Sequence, residues 1–313
     1  MFRLSKIVVV GSLIVDITAY TPHFPVEGET TLGNSLNMGP GGKGNNQATA
    51  AARSGGEVIM ISKWGRDVLS DILKKHYRDE GMTVRYISES ETEKTGSALI
   101  EVDSSGHNRI VVIKGANEAI TADEVRLAEN EFAGCDAVLC QLETSIESVL
   151  EAKRLANKYG KRFVLNPAPF QSVPEELFYG VDYITPNETE AEFFTGIPVK
   201  DEKSAGLAAL EFKKMGVKNV IITLGKRGVF YSTDTKSGIV PTTDLKPVDT
   251  TGAGDAFNGG FTVAMAEGKD IETALKFANC VASISVTRRG AAPAMPNRAE
   301  AVKLLSDYYG VEY

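Results

Sequence analysis

Cysteine, histidine and tryptophan are scarce in this chain: three, three and one among 313 residues. Three Cys with no C-x-x-C spacing cannot build a disulfide framework at this length, and the odd count fits a reducing compartment. His23, His76 and His107 are too dispersed for a metal cluster or a catalytic triad. Excess positive charge is also lacking. Lys plus Arg number 34 against 41 Asp plus Glu, a formal net charge of −7, which argues against a nucleic-acid binder working through bulk positive charge. No stretch approaches the roughly 18 consecutive apolar residues of a membrane span. Arg3 and Lys6 before the apolar run Ile7–Val15 imitate a secretory signal, but Asp16 stops the run and no A-x-A-like cleavage site follows closely. A run rich in Val and Ile, closed by Gly11, reads as a buried first strand. A soluble cytoplasmic protein is expected, with neither nucleic acid nor membrane as partner.

What is present is ample core material, with 42% hydrophobic and 24% charged residues, the composition of an ordinary globular chain. Strands are expected at Ile7–Val10, Val58–Ile61, Ala137–Gln141, Arg162–Leu165, Tyr183–Thr185 and Val220–Thr223. Helices are expected at Asn46–Arg53, Val68–Glu80, Ala122–Phe132, Ile146–Tyr159, Glu190–Phe194 and Ser204–Met215, then at Gly252–Ala266, Ile271–Thr287 and Arg298–Tyr308. Apolar strands alternating with helices indicate a doubly wound, mainly parallel α/β sheet covered on both faces. Two segments, 14–43 and 95–114, break the rhythm. The first holds Asp16–Asn37 with Pro22, Pro25, Gly28 and Gly33. The second holds Thr95–Ile113, a hairpin of Ser97–Val102 and Arg109–Ile113 around Asp103-Ser104-Ser105-Gly106. Together they form a small second sheet, either a lid over a pocket or a plain edge hairpin. The main body is then 1–13, 44–94 and 115–313, without repeats or linkers.

Gly39-Pro40-Gly41-Gly42-Lys43-Gly44 formally matches G-x-G-x-x-G. As a dinucleotide fingerprint it fails, because it does not turn directly off the first strand and Lys63 stands about 20 residues on, where an acidic residue is required. As a Walker A loop it fails because Gly44 follows Lys43. What survives is a glycine-dense turn that lets a ligand approach backbone, entering a helix whose free N–H groups point back at that ligand. Lys43, Asn45, Asn46 and Gln47 add donors suited to hydroxyl groups. Alone, it reads equally well as a turn with an N-cap. The stretch Asp249-Thr250-Thr251-Gly252-Ala253-Gly254-Asp255 is sharper. Amides of Gly252, Ala253 and Gly254 at a helix start favour an anion such as phosphate. The Asp255 carboxylate would be repelled by that anion, so its rational task is to take a proton from an attacking hydroxyl. An Asp that merely complements the helix dipole is the bland alternative. Asn187-Glu188-Thr189-Glu190, after a strand end, could hold Mg²⁺ through water or form a capping box, or both. Gln141-Leu142-Glu143 and Thr223-Leu224-Gly225, with Gly228, border the same crevice.

Taken together, Gly41–Gln47 and Asp249–Asp255, in this order and far apart, resemble the two signatures of the ribokinase-like (pfkB) sugar kinases. Asn166-Pro167-Ala168-Pro169 and Thr185-Pro186-Asn187-Glu188-Thr189-Glu190 are similar as well, and the likeness runs from the first strand to Thr287-Arg288-Arg289-Gly290. The resemblance implies ATP-dependent phosphorylation of the 5-hydroxyl of a pentose, ribose foremost, under a projecting β-sheet lid that also makes a homodimer. It implies Asp255 as general base and Gly252, Ala253 and Gly254 as anion hole. Asp16, Gly42, Lys43, Gly44, Asn46 and Glu143 match sugar-contacting positions. Asn187, Thr223, Gly225, Lys226, Gly228, Gly254 and Asn279 fall to ATP, and Glu190 to its Mg²⁺ through water. Asp249, Thr251, Ser285, Arg288, Gly290 and Ala294 match a monovalent-cation loop, largely through backbone carbonyls, with K⁺ as the expected activator. One position departs. Members acting on ribose usually carry Asn two residues before the sugar-binding Asp, and this chain has Ile14. An apolar side chain cannot bond a sugar hydroxyl, so 2-deoxyribose stays open beside ribose. A non-catalytic sugar- or nucleotide-sensing module is the alternative from another class.

Overall fold

A computed structural model, describing residues 4–313, shows how alternation along the first strand sets the layers. Ile7 and Val9 join one apolar cluster and Val8 and Val10 the other, all fully buried, because successive strand side chains point to opposite faces. Arg3 lies outside the described residues. The strands are β1 (Lys6–Val10), β2 (Ile14–Tyr20), β3 (Ser35–Gly41), β4 (Glu57–Gly65), β5 (Thr83–Ser90), β6 (Gly96–Val102) and β7 (Asn108–Ile113). They continue with β8 (Ala137–Cys140), β9 (Arg162–Leu165), β10 (Tyr183–Ile184), β11 (Asn219–Thr223), β12 (Val229–Ser232) and β13 (Ser237–Val240). Nine form one sheet in the order β13-β12-β11-β10-β9-β8-β1-β4-β5. It is parallel except for the β11–β12 and β12–β13 pairings.

The helices are α1 (Lys43–Arg53), α2 (Val68–Asp79), α3 (Ala122–Arg126), α4 (Glu129–Gly134) and α5 (Ile146–Lys158). After them come α6 (Glu188–Thr195), α7 (Glu202–Lys214), α8 (Ala253–Ala266), α9 (Ile271–Ser285) and α10 (Arg298–Tyr309). Apolar residues of α1, α2, α8, α9 and α10 belong to the Ile7 side, and those of α3 to α7 to the Val8 side. The expected doubly wound α/β sheet with two helical layers is what the chain forms. Among the described residues no helix is long and apolar enough to cross a membrane.

The irregular segments form a separate four-stranded sheet, β3-β2-β6-β7. The hairpin pairs antiparallel from Ser97–Ile113 to Val102–Asn108, and its turn is tied by Asp103, whose Oδ1 accepts the amides of Ser105 and His107 at 2.9 Å each. β2 and β6, by contrast, run parallel.

Several expectations need correction. β5, β12 and β13 were not anticipated: β5 ends the sheet with half its residues exposed, and polar and apolar residues mix in its TVRYISES sequence. The helix expected at Ala122–Phe132 is two helices, because the backbone leaves helical geometry at Ala128 (φ −96°, ψ 15°). Gly252 stands outside its helix, as the left-handed residue that precedes α8.

Candidate active site

α1 and α8 lie side by side because α8 has glycine where they touch. A Cβ at Gly259 would stand 2.5 Å from the Ala50 Cβ and 2.7 Å from the Gln47 carbonyl. One turn earlier on each helix, this approach brings Asn46 and Gln47 to Asp255. Asn46 Nδ2 donates to Asp255 Oδ2 at 3.0 Å, and Gln47 Nε2 donates to Oδ1 at 2.9 Å. Both oxygens are thus held while each keeps a lone pair. Burial raises the Asp255 pKa, opposed by Lys43 and by the Gln47 and Asn46 bonds, and the net direction is upward. A carboxylate so placed is a stronger base than an exposed one.

Gln47 is itself fixed from behind. Its Oε1 accepts from Gln141 Nε2 at 2.7 Å, and its Nε2 also reaches Asn166 Oδ1 at 3.0 Å. Asn166 donates to the Thr185 carbonyl at 2.9 Å, Thr185 to Asn258 Oδ1 at 2.5 Å, and Asn258 to the Gly254 carbonyl at 2.8 Å. This buried relay joins the ends of three parallel strands to the start of α8. Buried networks of this kind fix one geometry, and among the described residues only the Gln141 Oε1 of this relay lacks a donor.

A cavity of about 190 Å³ opens beside Asp255, walled by Lys43, Asn187, Glu190, Thr223, Gly252, Ala253 and Gly254 together with Asn166, Ala168, Thr185, Thr250 and Asn258. Asn166, Ala168, Thr185 and Thr250 belong to stretches that the sequence singles out and Gln141 borders the expected crevice, but none of them carries an expected role, and Asn258 lies outside every such stretch. Thr185 is marked by its strand-end position and by the family-like stretch it opens, whereas Asn258, one polar residue inside a small-residue helix, carries no such signal. Gly254 has nothing within 4 Å of where a Cβ would be, so a ligand can come close to the backbone there. Of the three amides expected to form the anion hole, that of Ala253 donates to the Thr250 carbonyl at 3.2 Å. The expectation narrows to Gly252 and Gly254.

Burial works against the Lys43 ammonium, but Asp255, Glu143 and Glu190 together outweigh it and hold its pKa above the ordinary value. Burial, ahead of the opposing Asn187 amide and Lys43, raises the Glu190 pKa. Asn187 and Glu190 do form a capping box, with both reciprocal bonds at 2.8 Å, while lining the cavity as well. Among the described residues no three His, Cys, Asp or Glu side chains group as a metal site. The Glu190 carboxylate, beside the Asn187 side chain at the cavity wall, is a hard oxygen donor of the kind a hydrated Mg²⁺ takes.

The glycine-rich turn behaves differently from expectation at its amides. Lys43 N donates to Glu143 Oε2 at 2.8 Å, Gly44 N to Ser12 Oγ at 3.1 Å and Asn45 N to the Ser12 carbonyl at 2.9 Å. Those N–H groups are taken by the protein. Gly44 is required by packing, for its Cβ would stand 2.2 Å from Ser12 N. What this end offers a ligand is side chains: Lys43, the Oε1 of Glu143, whose Oε2 takes Ser12 Oγ and the Lys43 amide, and Asn46 Oδ1, a buried acceptor without a donor among the described residues. Asp16 completes it. Burial first, then Glu143 and Asp255, push its pKa up to about 6, and its carboxylate lies against Gly41, where a Cβ would meet Oδ1 at 2.3 Å. Gly42 (φ 88°) has Ile14 as neighbour, 2.9 Å from its Cβ position to the Ile14 amide. Ile14 is 2% exposed yet belongs to neither apolar cluster.

Gly225, Lys226, Gly228 and Asn279 lie outside the cavity wall. Gly228 (φ 94°) meets the Val240 carbonyl at 2.1 Å from its Cβ position, and Asn279 Nδ2 donates to the Pro241 carbonyl at 3.1 Å, so both border the 240–241 backbone. Lys226 is exposed. Of the six residues expected at a cation loop, three are bonded together: Asp249 Oδ1 accepts the Thr251 amide and Oδ2 the Gly290 amide, each at 2.9 Å. Burial opposes, but these amides hold the Asp249 pKa below the usual range. The ionised Asp249 carboxylate is a hard oxygen donor of the kind a monovalent cation takes. Ser285 Oγ bonds the Ala282 carbonyl and Arg288 pairs with Glu300, which leaves backbone oxygens as what those two can contribute. Ala294 is buried in the turn Ala292–Ala294.

A doubly wound sheet with a second small sheet beside it, and a buried acid at a glycine-rich helix start, is the ground plan of sugar kinases. The chain belongs to the pfkB family of carbohydrate kinases, which it matches over residues 4–298. As a member it is a phosphotransferase acting on a sugar hydroxyl. The ribokinase of Haemophilus influenzae is 43% identical over 297 residues, covering 95% of this chain and 97% of that one. The deoxyribokinase of Salmonella typhi is 35% identical over 292 residues, 93% of this chain and 95% of its own. Among solved structures, Arabidopsis thaliana ribokinase complexed with ribose and ATP matches with a TM-score of 0.90 at 32% identity, over 97% of this chain and 99% of that one.

Proposed function

We propose that this chain transfers the γ-phosphoryl group of ATP to the 5-hydroxyl of D-ribose. The observation that carries the reading is Asp255: a buried carboxylate, raised in pKa, fixed by two amides and set beside an open helix start. Its likeness to ribokinases over nearly its full length supports ribose as the pentose. Asp16, Lys43, Glu143 and Asn46 bind the sugar hydroxyls, with Gly42 allowing backbone approach. Asp255 accepts the 5-hydroxyl proton as the O5–P bond forms and the bond from Pγ to the β-phosphate bridge breaks, releasing ADP. Gly252 and Gly254 amides, with Lys43, stabilise charge on the migrating group. Asn187 and Glu190 would hold Mg²⁺, which would supply neutralisation of the phosphate charge. Thr223, Gly225, Lys226, Gly228 and Asn279 hold the nucleotide's far end, and Asp249, Thr251, Ser285, Arg288, Gly290 and Ala294 a K⁺ activator.

Segments 14–43 and 95–114 act as a lid that excludes competing water. The same sheet supports a homodimer. β7 is an edge strand whose six residues are all exposed, including Ile110, Val111, Val112 and Ile113, and a bare apolar edge calls for a cover. Sedimentation is expected to give a dimer, and Val111→Glu a monomer. Three buried free thiols suit a reducing, cytoplasmic setting.

Ile14 favours a second reading, 2-deoxyribose as substrate, because it buries an apolar side chain beside Gly42 without joining either core cluster. ADP release measured with ATP and ribose, 2-deoxyribose, fructose or nucleosides decides. Ribose is expected to give the highest kcat/KM; preference for 2-deoxyribose selects the second reading, and no turnover with any sugar leaves a sensing module. Ile14→Asn is expected to move the ratio toward ribose, and an unchanged ratio removes Ile14 from the specificity argument.

A further inference from the structure

We propose that Arg53 is a positioning residue that fastens the 290–295 loop behind the anion-binding end of α8 and so sets the response to the monovalent cation. This rests on the cation assignment above. Arg53 closes α1 and divides its guanidinium between two tasks. Nε and Nη2 form a fork on the carboxylate of Glu80, just beyond α2, at 3.0 and 2.5 Å. Nη1 donates to the carbonyls of Met295 and Pro293 at 2.6 and 3.2 Å. The pair is mostly sheltered, with side-chain exposures of 26% for Arg53 and 15% for Glu80. A two-point fork locks the guanidinium plane, and charge-assisted bonds from the remaining nitrogen then fix whatever accepts them.

What accepts them flanks Ala294. Ala292, Ala294 and Met295 are buried, so this loop is a packed element of the interior. Its other side meets the helix start directly: a Cβ on Gly252 would stand 2.9 Å from the Ala291 Cβ and 3.5 Å from the Met295 Cε. Gly290 N is meanwhile bonded to Asp249. The loop is therefore held between Arg53 behind, Gly252 in front and Asp249 at its entry. The helix that ends in Arg53 also carries Asn46 and Gln47, which hold Asp255. One rigid helix of 11 residues thus positions the base at one end and the floor of the anion hole at the other.

The test uses the whole chain with Arg53→Met, which keeps an unbranched apolar stem and removes the fork, and Arg53→Lys, which keeps charge and one donor. Two readouts are taken against K⁺ concentration: turnover with ATP and the preferred pentose, and the rise in melting temperature without substrates, each relative to choline chloride. Arg53→Met is expected to raise the half-saturating K⁺ concentration about tenfold, the scale of losing charge-assisted bonds, and to displace the K⁺-dependent melting shift to about tenfold higher K⁺, with pentose KM within about twofold. Arg53→Lys is expected to fall between, and it decides the matter should Arg53→Met not fold. A lower melting temperature with an unchanged K⁺ response makes Arg53 merely structural and overturns the proposal. A wild-type chain indifferent to K⁺ in both readouts overturns the cation assignment itself, a different failure.

Discussion

The starts of α1 and α8 share a design in sequence and diverge in structure. Each opens on a glycine with positive φ, Gly42 at 88° and Gly252 at 74°, and neither has a side-chain cap. At α1 the protein fills the first turn itself, with Glu143 and Ser12 accepting the amides of Lys43, Gly44 and Asn45. At α8, among the described residues, only Ala253 finds such a partner, in Thr250, and Gly254 faces open space. A helix start saturated by its own chain is a rigid platform for side chains. One left unsaturated keeps its partial positive charge for an anion. The same residue type therefore does packing work at 44 and approach work at 254, and no glycine-counting motif separates the two.

The largest effect tests the chemistry between these platforms. Asp255→Asn is expected to lower turnover roughly 10²–10⁴-fold, the usual range for a general base, while calorimetry still detects pentose binding. The substitution is not silent structurally. Asn46 and Gln47 both donate to this carboxylate, so the new NH₂ faces one donor and one bond is lost, at a cost of about 1–3 kcal/mol. Rates are accordingly compared well below the variant's melting temperature. Turnover within threefold of wild type would release Asp255 from its role.

Paired alanines break the glycine comparison next. Gly254→Ala meets no neighbour and has an ordinary negative φ, so its melting temperature is expected to hold or rise slightly, by up to about 1 kcal/mol of helix propensity. Its turnover is expected to fall at least about tenfold, as a methyl enters the space the phosphoryl group needs. Gly44→Ala drives a methyl into the Gly11–Ser12 backbone at 2.2–2.7 Å and is expected to lose about 3–5 kcal/mol of stability. Two variants losing stability equally, or activity equally, would erase the distinction.

The sequence reveals the fold where one force dominates. β1, β8 and β11 are short runs of Val, Ile and Leu that only a doubly covered sheet accommodates, so they can be read directly. β13 holds Ser and Gly, and the strand state of this edge rests on β12 pairing with β11 and β13 with β12, which no local pattern contains. In the site, Asp255 and its glycines are legible because a carboxylate beside an anion hole needs a reason. The relay through Gln47, Asn166, Thr185 and Asn258 is not, since amides and hydroxyls scattered over 212 positions acquire partners only when strand ends converge. Arg53 is hidden likewise: at the end of a helix it reads as a dipole complement, and its carbonyl partners lie some 240 residues away.

A subtler difference between the two ends lies in their acids. Asp255 has two amide donors, whereas Asp16 is half-buried near Glu143 and Asp255 with its pKa pushed up to about 6. A carboxyl whose folded pKa exceeds its unfolded value near 3.8 imposes no penalty when both states are protonated. The penalty grows as pH rises from about 4 to 6 and is then complete. Without sugar, ionised Asp16 therefore destabilises the protein at neutral pH, by at most about 3 kcal/mol for a shift of roughly two units. Asp16→Asn is expected to melt a few degrees above wild type at pH 7.5, with the gap closing toward pH 4. Saturating pentose should reverse the order at pH 7.5, because hydroxyl donors satisfy the wild-type carboxylate and not the amide. A gap that persists unchanged at pH 4 would show that the strain at Asp16 is steric and not electrostatic.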